Sequence, residues 1–138
     1  MMKKTKEVIE ERAKLGGKRP LILGVTILTS HTEANLANEL GIHKKLDDQV
    51  LALAQLAKKA GLDGVVSSPK EIAVLRKEFG PDFVIVTPGI RPKGSPKGDQ
   101  KRTFTPEDAF QAGASYIVVG RPVTSAEKPR EVVEQIIQ

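Results

Sequence analysis

The chain has 138 residues, 39% of them apolar and 28% charged, the proportions of an ordinary globular protein with one real core. It contains no cysteine, which excludes disulfides, thiolate metal sites and a cysteine nucleophile. The net charge of +5 comes with only 4% aromatic residues, so the stacking platforms of a single-strand nucleic-acid binder are missing and small anions are the expected partners.

The N-terminus, Met1 to Lys4, runs into further charge rather than an apolar signal core, and no apolar run approaches the ~20 residues of a membrane span; no membrane partner and a cytoplasmic address are expected. Lys3 to Lys14 predicts a helix with Val8, Ile9 and Ala13 on one face, ended by Gly16-Gly17. Leu21 to Leu28 reads as an apolar strand that stops at Thr29-Ser30. Asn35 to Leu40 is a short helix closed by Gly41. Leu46 to Ala60 has the apolar spacing of an amphipathic helix, with Asp47 or Asp48 expected at its N-cap and Gly61 at its end. Gly64-Val65-Val66 is a strand ending at Ser67-Ser68, and Ser68 is expected to cap a helix that starts at Pro69 and runs from Glu71 to Phe79. Phe83 to Val86 is the third strand. A helix from Pro106 to Ala112, capped by Thr105, precedes the last strand, Ser115 to Val119, and the last helix, Pro129 to Ile137.

Apolar strands that alternate with helices indicate an α/β fold with parallel pairing. The repeating unit is that of a (β/α) barrel of the TIM type, whose eight strands need about 200 residues or more. Residues 1–138 are expected to form a single domain holding four strands, half of such a barrel.

The most informative stretch is Val84 to Arg102, together with Ile117 to Pro122. In each, a β-branched run stops at Gly and Arg, and the first opens into a loop holding Arg91, Lys93, Lys97, Gln100, Lys101 and Arg102. Glycine admits an oxyanion close to the backbone and arginine offers a bidentate fork, so two such strand ends side by side make a phosphate pocket. Arg91 and Arg121 are the expected phosphate residues; Lys93, Lys97, Lys101 and Arg102 are read as solvated loop charges. His31 and His43 are far apart in sequence and lack a carboxylate motif, so no metal is expected. Ser67 and Ser68 have no paired base and are not read as nucleophiles.

Gly24–Ser30 (GVTILTS), Gly61–Glu71 (GLDGVVSSPKE), Ile85–Arg102 (IVTPGIRPKGSPKGDQKR) and Ala114–Pro129 (ASYIVVGRPVTSAEKP) together resemble the C-terminal half of bacterial orotidine 5′-phosphate decarboxylases. The resemblance covers almost the whole chain, and the TPGIRP…GDQKR and VVGRP pair is highly specific. It implies that Arg91, Gln100, the Gly120 amide and Arg121 grip a substrate phosphate, that Thr29 hydrogen-bonds the pyrimidine ring, and that Pro88 and Gly89 lie against the base. It also implies a nucleotide substrate, orotidine or uridine monophosphate, no cofactor, and a homodimer.

One departure is large. The family's chemistry depends on an Asp-x-Lys-x-x-Asp array on an earlier strand, and no such array occurs in this sequence. Lys45-Leu46-Asp47-Asp48 reproduces only a Lys-x-x-Asp spacing, with His43 where the first Asp should stand, so no catalytic residue is assigned. Two functions are therefore expected to compete: the substrate-binding half of a decarboxylase, or a phosphate-binding half-barrel without catalysis. A relative of hexulose-phosphate synthases is a third, disfavoured by the TPGIRP…GDQKR loop. The strand count also leaves two apolar edges, Leu21–Leu28 and Ser115–Val119, that a second copy could pair with to close eight strands; the alternative is an open sheet covered by the N-terminal helix.

Overall fold

The computed structural model describes residues 1–92 and 104–137. In chain order these form α1 (Met2–Lys14), β1 (Leu23–Val25), α2 (Glu33–Leu40), α3 (Leu46–Lys59), β2 (Gly64–Val66), a 3-10 turn (Pro69–Glu71), α4 (Ile72–Phe79), β3 (Val84–Thr87), α5 (Pro106–Gln111), β4 (Tyr116–Ile117), α6 (Arg121–Thr124) and α7 (Pro129–Ile136). The strands make one sheet in the order β1-β2-β3-β4, each neighbour parallel to the last. Sequential parallel strands joined through helices are what the alternating pattern requires.

The boundaries differ from expectation in instructive places. β1 covers only three of the eight apolar residues from Leu21 to Leu28. Its pairing extends a little at each end, through Asp63 N to Ile22 O (2.9 Å) and Thr26 N to Val66 O (3.1 Å). Beyond that the chain turns away, with His31 N donating to Leu28 O at 3.0 Å; hydrophobicity alone does not keep a segment in a ladder when its polar end closes a turn. Lys45, rather than Asp47 or Asp48, occupies the N-cap of α3 and gives no side-chain bond. Glu33 of α2 takes that role instead, its Oε1 accepting from Leu46 N at 3.0 Å, while the two Asp residues sit in the first turn, where the helix dipole favours them. The short α6 has no counterpart in the sequence reading. Thr105 caps α5 as expected, accepting from Asp108 N; Ser68 accepts from Lys70 N but caps the 3-10 turn that precedes α4 rather than α4 itself, and Gly41 takes the left-handed conformation (φ 64°) that ends α2.

Strand alternation splits the sheet into two unlike faces. On one, Gly24, Val65 and Ile85 lie in register and meet the helices: a Cβ at Gly24 would touch Ala57, Leu62 and Val65. Val65 and Ile85 are fully buried there with Leu36, Val50, Ala54, Ile72, Leu75 and Ile90. On the other face, Val25, Val66, Val86 and Tyr116 form the next row, and Val25 and Tyr116 at its ends are 64% and 56% exposed.

Two polar clamps fix the N-terminal ends of the strands. Arg76 of α4 donates from Nε to Gly113 O (2.7 Å), from Nη1 to Gly80 O (3.0 Å) and Phe83 O, and from Nη2 to Ser115 Oγ (2.8 Å). One guanidinium thus satisfies three carbonyls where β3 and β4 begin, and burial pulls its pKa below the usual arginine value. Arg19 holds Asp63 with both oxygens, at 2.9 and 3.1 Å, and Ile22 N donates to the same carboxylate at 2.7 Å. Burial works against the charged Asp63, but the Arg19 and Ile22 hydrogen bonds and the nearby positive charges outweigh it, so its carboxyl titrates below the ordinary range. A carboxylate with a depressed native pKa stabilises the fold above its unfolded pKa of about 4 and loses that contribution as pH falls through the native value. Urea unfolding of wild type and Asp63→Asn should therefore differ at neutral pH and converge in acid; a gap that persists at pH 2.5 would contradict this.

Candidate functional site

Parallel strands carry their C-terminal ends to one edge of the sheet, where (β/α) barrels place their sites. Here that edge gathers Thr26 to His31 after β1, Ser67-Ser68 after β2, Pro88 to Arg91 after β3 and Val118 to Arg121 after β4. The two Gly-Arg strand ends singled out in the sequence belong to adjacent strands: Thr87 pairs with Ile117, and Val118 N donates to Thr87 O at 2.8 Å. The fold therefore brings together the segments bearing Arg91 and Arg121.

Their environments differ. Arg91 is 9% exposed, and its Nη1 donates to Ile90 O at 2.8 Å. Its backbone is anchored across the loop, since Ile90 bridges Phe104 and Arg91 N donates to Phe104 O at 2.9 Å. The two ends of the basic loop are thus tied together beside the guanidinium. Gly89, at φ 79°, makes the turn that redirects the chain from β3 toward this bridge, a conformation costly for any residue with a Cβ. Pro88, just before it, is half-buried. Gly120 and Arg121 are exposed, and among the described residues nothing fills the space where a Gly120 side chain would sit. Thr29 is buried, 8% exposed, in the turn beyond β1. Gln100, Lys93, Lys97, Lys101 and Arg102 lie outside the described residues.

The structure adds buried polar residues to which the sequence analysis gave no site role. Ser67, Glu71 and Thr87 are all at most 1% exposed. Thr26 Oγ1 donates to Val66 O at 2.9 Å and lies 3.3 Å from Ser67 Oγ, and Ser67 Oγ approaches Glu71 Oε2 at 3.4 Å. Thr87 Oγ1 is buried with no hydrogen-bond partner among the described residues. The legible signal was position alone: Ser67 follows β2, Thr87 ends β3, and Glu71 closes the 3-10 turn after β2. Lys45 is exposed at the start of α3, and His31 sits 3.5 Å from Ser30 Oγ. Among the described residues no group of three His, Cys, Asp or Glu is placed to hold a metal ion.

A family model described as orotidine 5′-phosphate decarboxylase / HUMPS family matches residues 1–136. The chain belongs to that family. It is 52% identical over 122 residues to the orotidine 5′-phosphate decarboxylase of Moorella thermoacetica, covering 88% of this chain and 48% of that one. The Geobacter sulfurreducens enzyme of the same name is 48% identical over 99% of this chain and 56% of its own length. Among solved structures, the Lactobacillus acidophilus orotidine 5′-phosphate decarboxylase superposes with a TM-score of 0.73 at 43% identity, over 88% of this chain and 50% of that one. An uncharacterized conserved protein from Geobacillus kaustophilus gives 0.78 at 34% identity, over 99% and 56%. The chain thus spans about half the length of the relatives it matches, in line with a four-stranded half of a barrel.

Proposed function

We propose that this chain is the phosphate- and pyrimidine-binding half of an orotidine 5′-phosphate decarboxylase, which converts orotidine monophosphate to uridine monophosphate and CO2 in pyrimidine biosynthesis. The observation that carries the reading is the pairing of β3 with β4, which sets the Arg91 and Gly120-Arg121 strand ends side by side. In this reading Arg91, Gln100, the Gly120 amide and Arg121 hold the phosphate, Thr29 meets the pyrimidine, and Pro88 and Gly89 lie against its face. Remote phosphate binding then serves catalysis by fixing the ring where the carboxylate leaves, so that binding energy is used in the transition state. The C–C bond that breaks leaves its electron pair on the ring carbon, and the proton that quenches it comes from the lysine of an Asp-x-Lys-x-x-Asp array outside this sequence. The half-barrel is proposed to act as a homodimer, in the cytoplasm and without a cofactor.

Calorimetric titration with uridine monophosphate, and separately with inorganic phosphate, tests the reading. Arg121→Ala should weaken binding by about 1.5–3 kcal/mol through lost charged hydrogen bonds. Equal affinities for wild type and variant would remove Arg121 from the site. The second reading, a phosphate-binding half-barrel without catalysis, predicts the same titration and parts from the first only when a complementary half supplies the missing array.

A further inference from the structure

The proposed phosphate and pyrimidine ends of the site stand on different strands. Arg91 follows β3 and Gly120-Arg121 follow β4, whereas Thr29 follows β1, two strands from β3 and about 10 Å across the sheet. β2 lies between them and carries none of the proposed ligand-binding residues. At this edge it contributes a buried polar line instead.

Thr26 and Ser67 come one position after Val25 and Val66, so strand alternation turns both toward the face that meets the helices. Thr26 is tied twice to one atom: its N donates to Val66 O at 3.1 Å, and its Oγ1 lies 2.9 Å from the same oxygen. Thr26 Oγ1 is also 3.3 Å from Ser67 Oγ, which is 3.4 Å from Glu71 Oε2. Ser67 and Glu71 are each 1% exposed, and hydrogen bonds removed from water in this way are strengthened by the low local dielectric. A carboxylate only accepts, so Ser67 donates to Glu71 and keeps a lone pair toward Thr26. The line thus runs from a buried carboxylate just before α4 to the last residue that pairs with β2 before the chain leaves the sheet. Three residues later stands Thr29, 8% exposed, in a turn that His31 N closes onto Leu28 O at 3.0 Å.

Resting on the reading under Proposed function, we propose that Thr26 and Ser67 are positioning residues for the pyrimidine end of the site, anchored on Glu71. Neither touches the ligand. They fix the point at which β1 ends, and with it the place of the turn that presents Thr29. A group that meets a ligand must be held to within about 0.5 Å by the residues behind it. On the phosphate side the backbone supplies that support, because Ile90 bridges Phe104 and Arg91 N donates to Phe104 O. After β1 the ladder stops at Val66 O, and the line of hydroxyls takes its place.

Thr26→Val keeps the side-chain shape and deletes the hydroxyl, while the backbone N at this position still satisfies Val66 O. In calorimetric titrations of the 138-residue chain it should weaken uridine monophosphate about tenfold and leave inorganic phosphate within about twofold, the scale of one or two lost hydrogen bonds. Thr26→Ser retains the hydroxyl and should restore the nucleotide affinity; Ser67→Ala breaks the line at its middle and should repeat the Thr26→Val pattern. Ser115→Ala removes a hydroxyl that bonds Arg76 and Ile85 N at the opposite ends of the strands. It should lower the melting temperature with the ratio of the two affinities unchanged, which separates positioning from loss of stability. Equal weakening of both ligands by Thr26→Val, no weakening of either, or no rescue by Thr26→Ser would overturn the proposal. Amide exchange gives a readout without ligand. The His31 amide should exchange about tenfold faster in Thr26→Val and Ser67→Ala, while the Val118 amide, bonded to Thr87 O, keeps its wild-type rate. Unchanged His31 exchange would also overturn the proposal. A wild type that binds neither compound would remove the functional reading, and the exchange rates would still decide whether the anchor holds the turn.

Discussion

Incubated with orotidine 5′-monophosphate, the 138-residue chain is expected to release no measurable CO2. The physical reason is the absence of an Asp-x-Lys-x-x-Asp array from these residues. Decarboxylation needs a proton donor at the carbon that inherits the electron pair, together with preorganised charge around the departing carboxylate. Residues that act as such a unit are not additive, and deleting the unit costs on the order of 10⁶-fold, about 8 kcal/mol of barrier. If Arg91 and Arg121 hold the phosphate as proposed, the expected profile is ligand affinity without turnover. A 14C-labelled carboxylate assay on protein from a host lacking its own decarboxylase gives the sharpest measurement. Turnover in that preparation would shift attention to Lys45, the exposed residue at the start of α3.

The largest expected effect on stability is at Gly64. Its Cβ position is already occupied by the backbone of Val84: the built atom would overlap the Val84 carbonyl oxygen and lie 2.6 Å from its carbonyl carbon. Val84 is the register partner of Gly64 on the neighbouring central strand, so nothing flexible can move aside. Glycine inside a strand marks this kind of close backbone approach. Gly64→Ala should push β2 and β3 apart where their pairing begins and destabilise the chain by about 3 kcal/mol or more. Thermal unfolding should fall on the order of 10 °C. Gly120→Ala is the natural contrast, because among the described residues no atom beyond its chain neighbours lies within 4 Å of where a Cβ would sit; its stability should barely change while its phosphate affinity drops. Similar melting temperatures for Gly64→Ala and wild type would show that the two strands can relax.

Much of this protein follows from local rules. The apolar runs at Gly64–Val66 and Phe83–Val86 became strands, and Ser68 and Thr105 capped a 3-10 turn and a helix, because hydroxyl caps, terminal glycines and β-branched runs act over a few residues. The four-strand count and the position of Arg91 and Arg121 after strand ends were legible for the same reason. Thr29, Pro88 and Gly89 have no local signature of ligand binding, and only the resemblance to the family brings them into the proposed site.

Other features depended on residues distant in the chain. Leu21 and Leu28 look like strand residues, yet β1 keeps only Leu23–Val25 because pairing is limited by what β2 and the turn at Thr29-Ser30 allow. The Lys45 N-cap is served from Glu33 of another helix, which no rule on the sequence around Asp47 could reveal. Arg91 and Arg121 look alike in sequence, but the first is buried next to the Ile90–Phe104 bridge and the second lies at the surface. Gly64 and Gly24 read as ordinary strand glycines; only the packed sheet shows that one faces the Val84 backbone and the other the α3 helix. Local chemistry determined which segments are strands and helices and which strand ends carry Arg91 and Arg121. Register and packing decided which side chains are buried, which glycines are irreplaceable and which face of the sheet stays open, because those depend on what lies opposite in space.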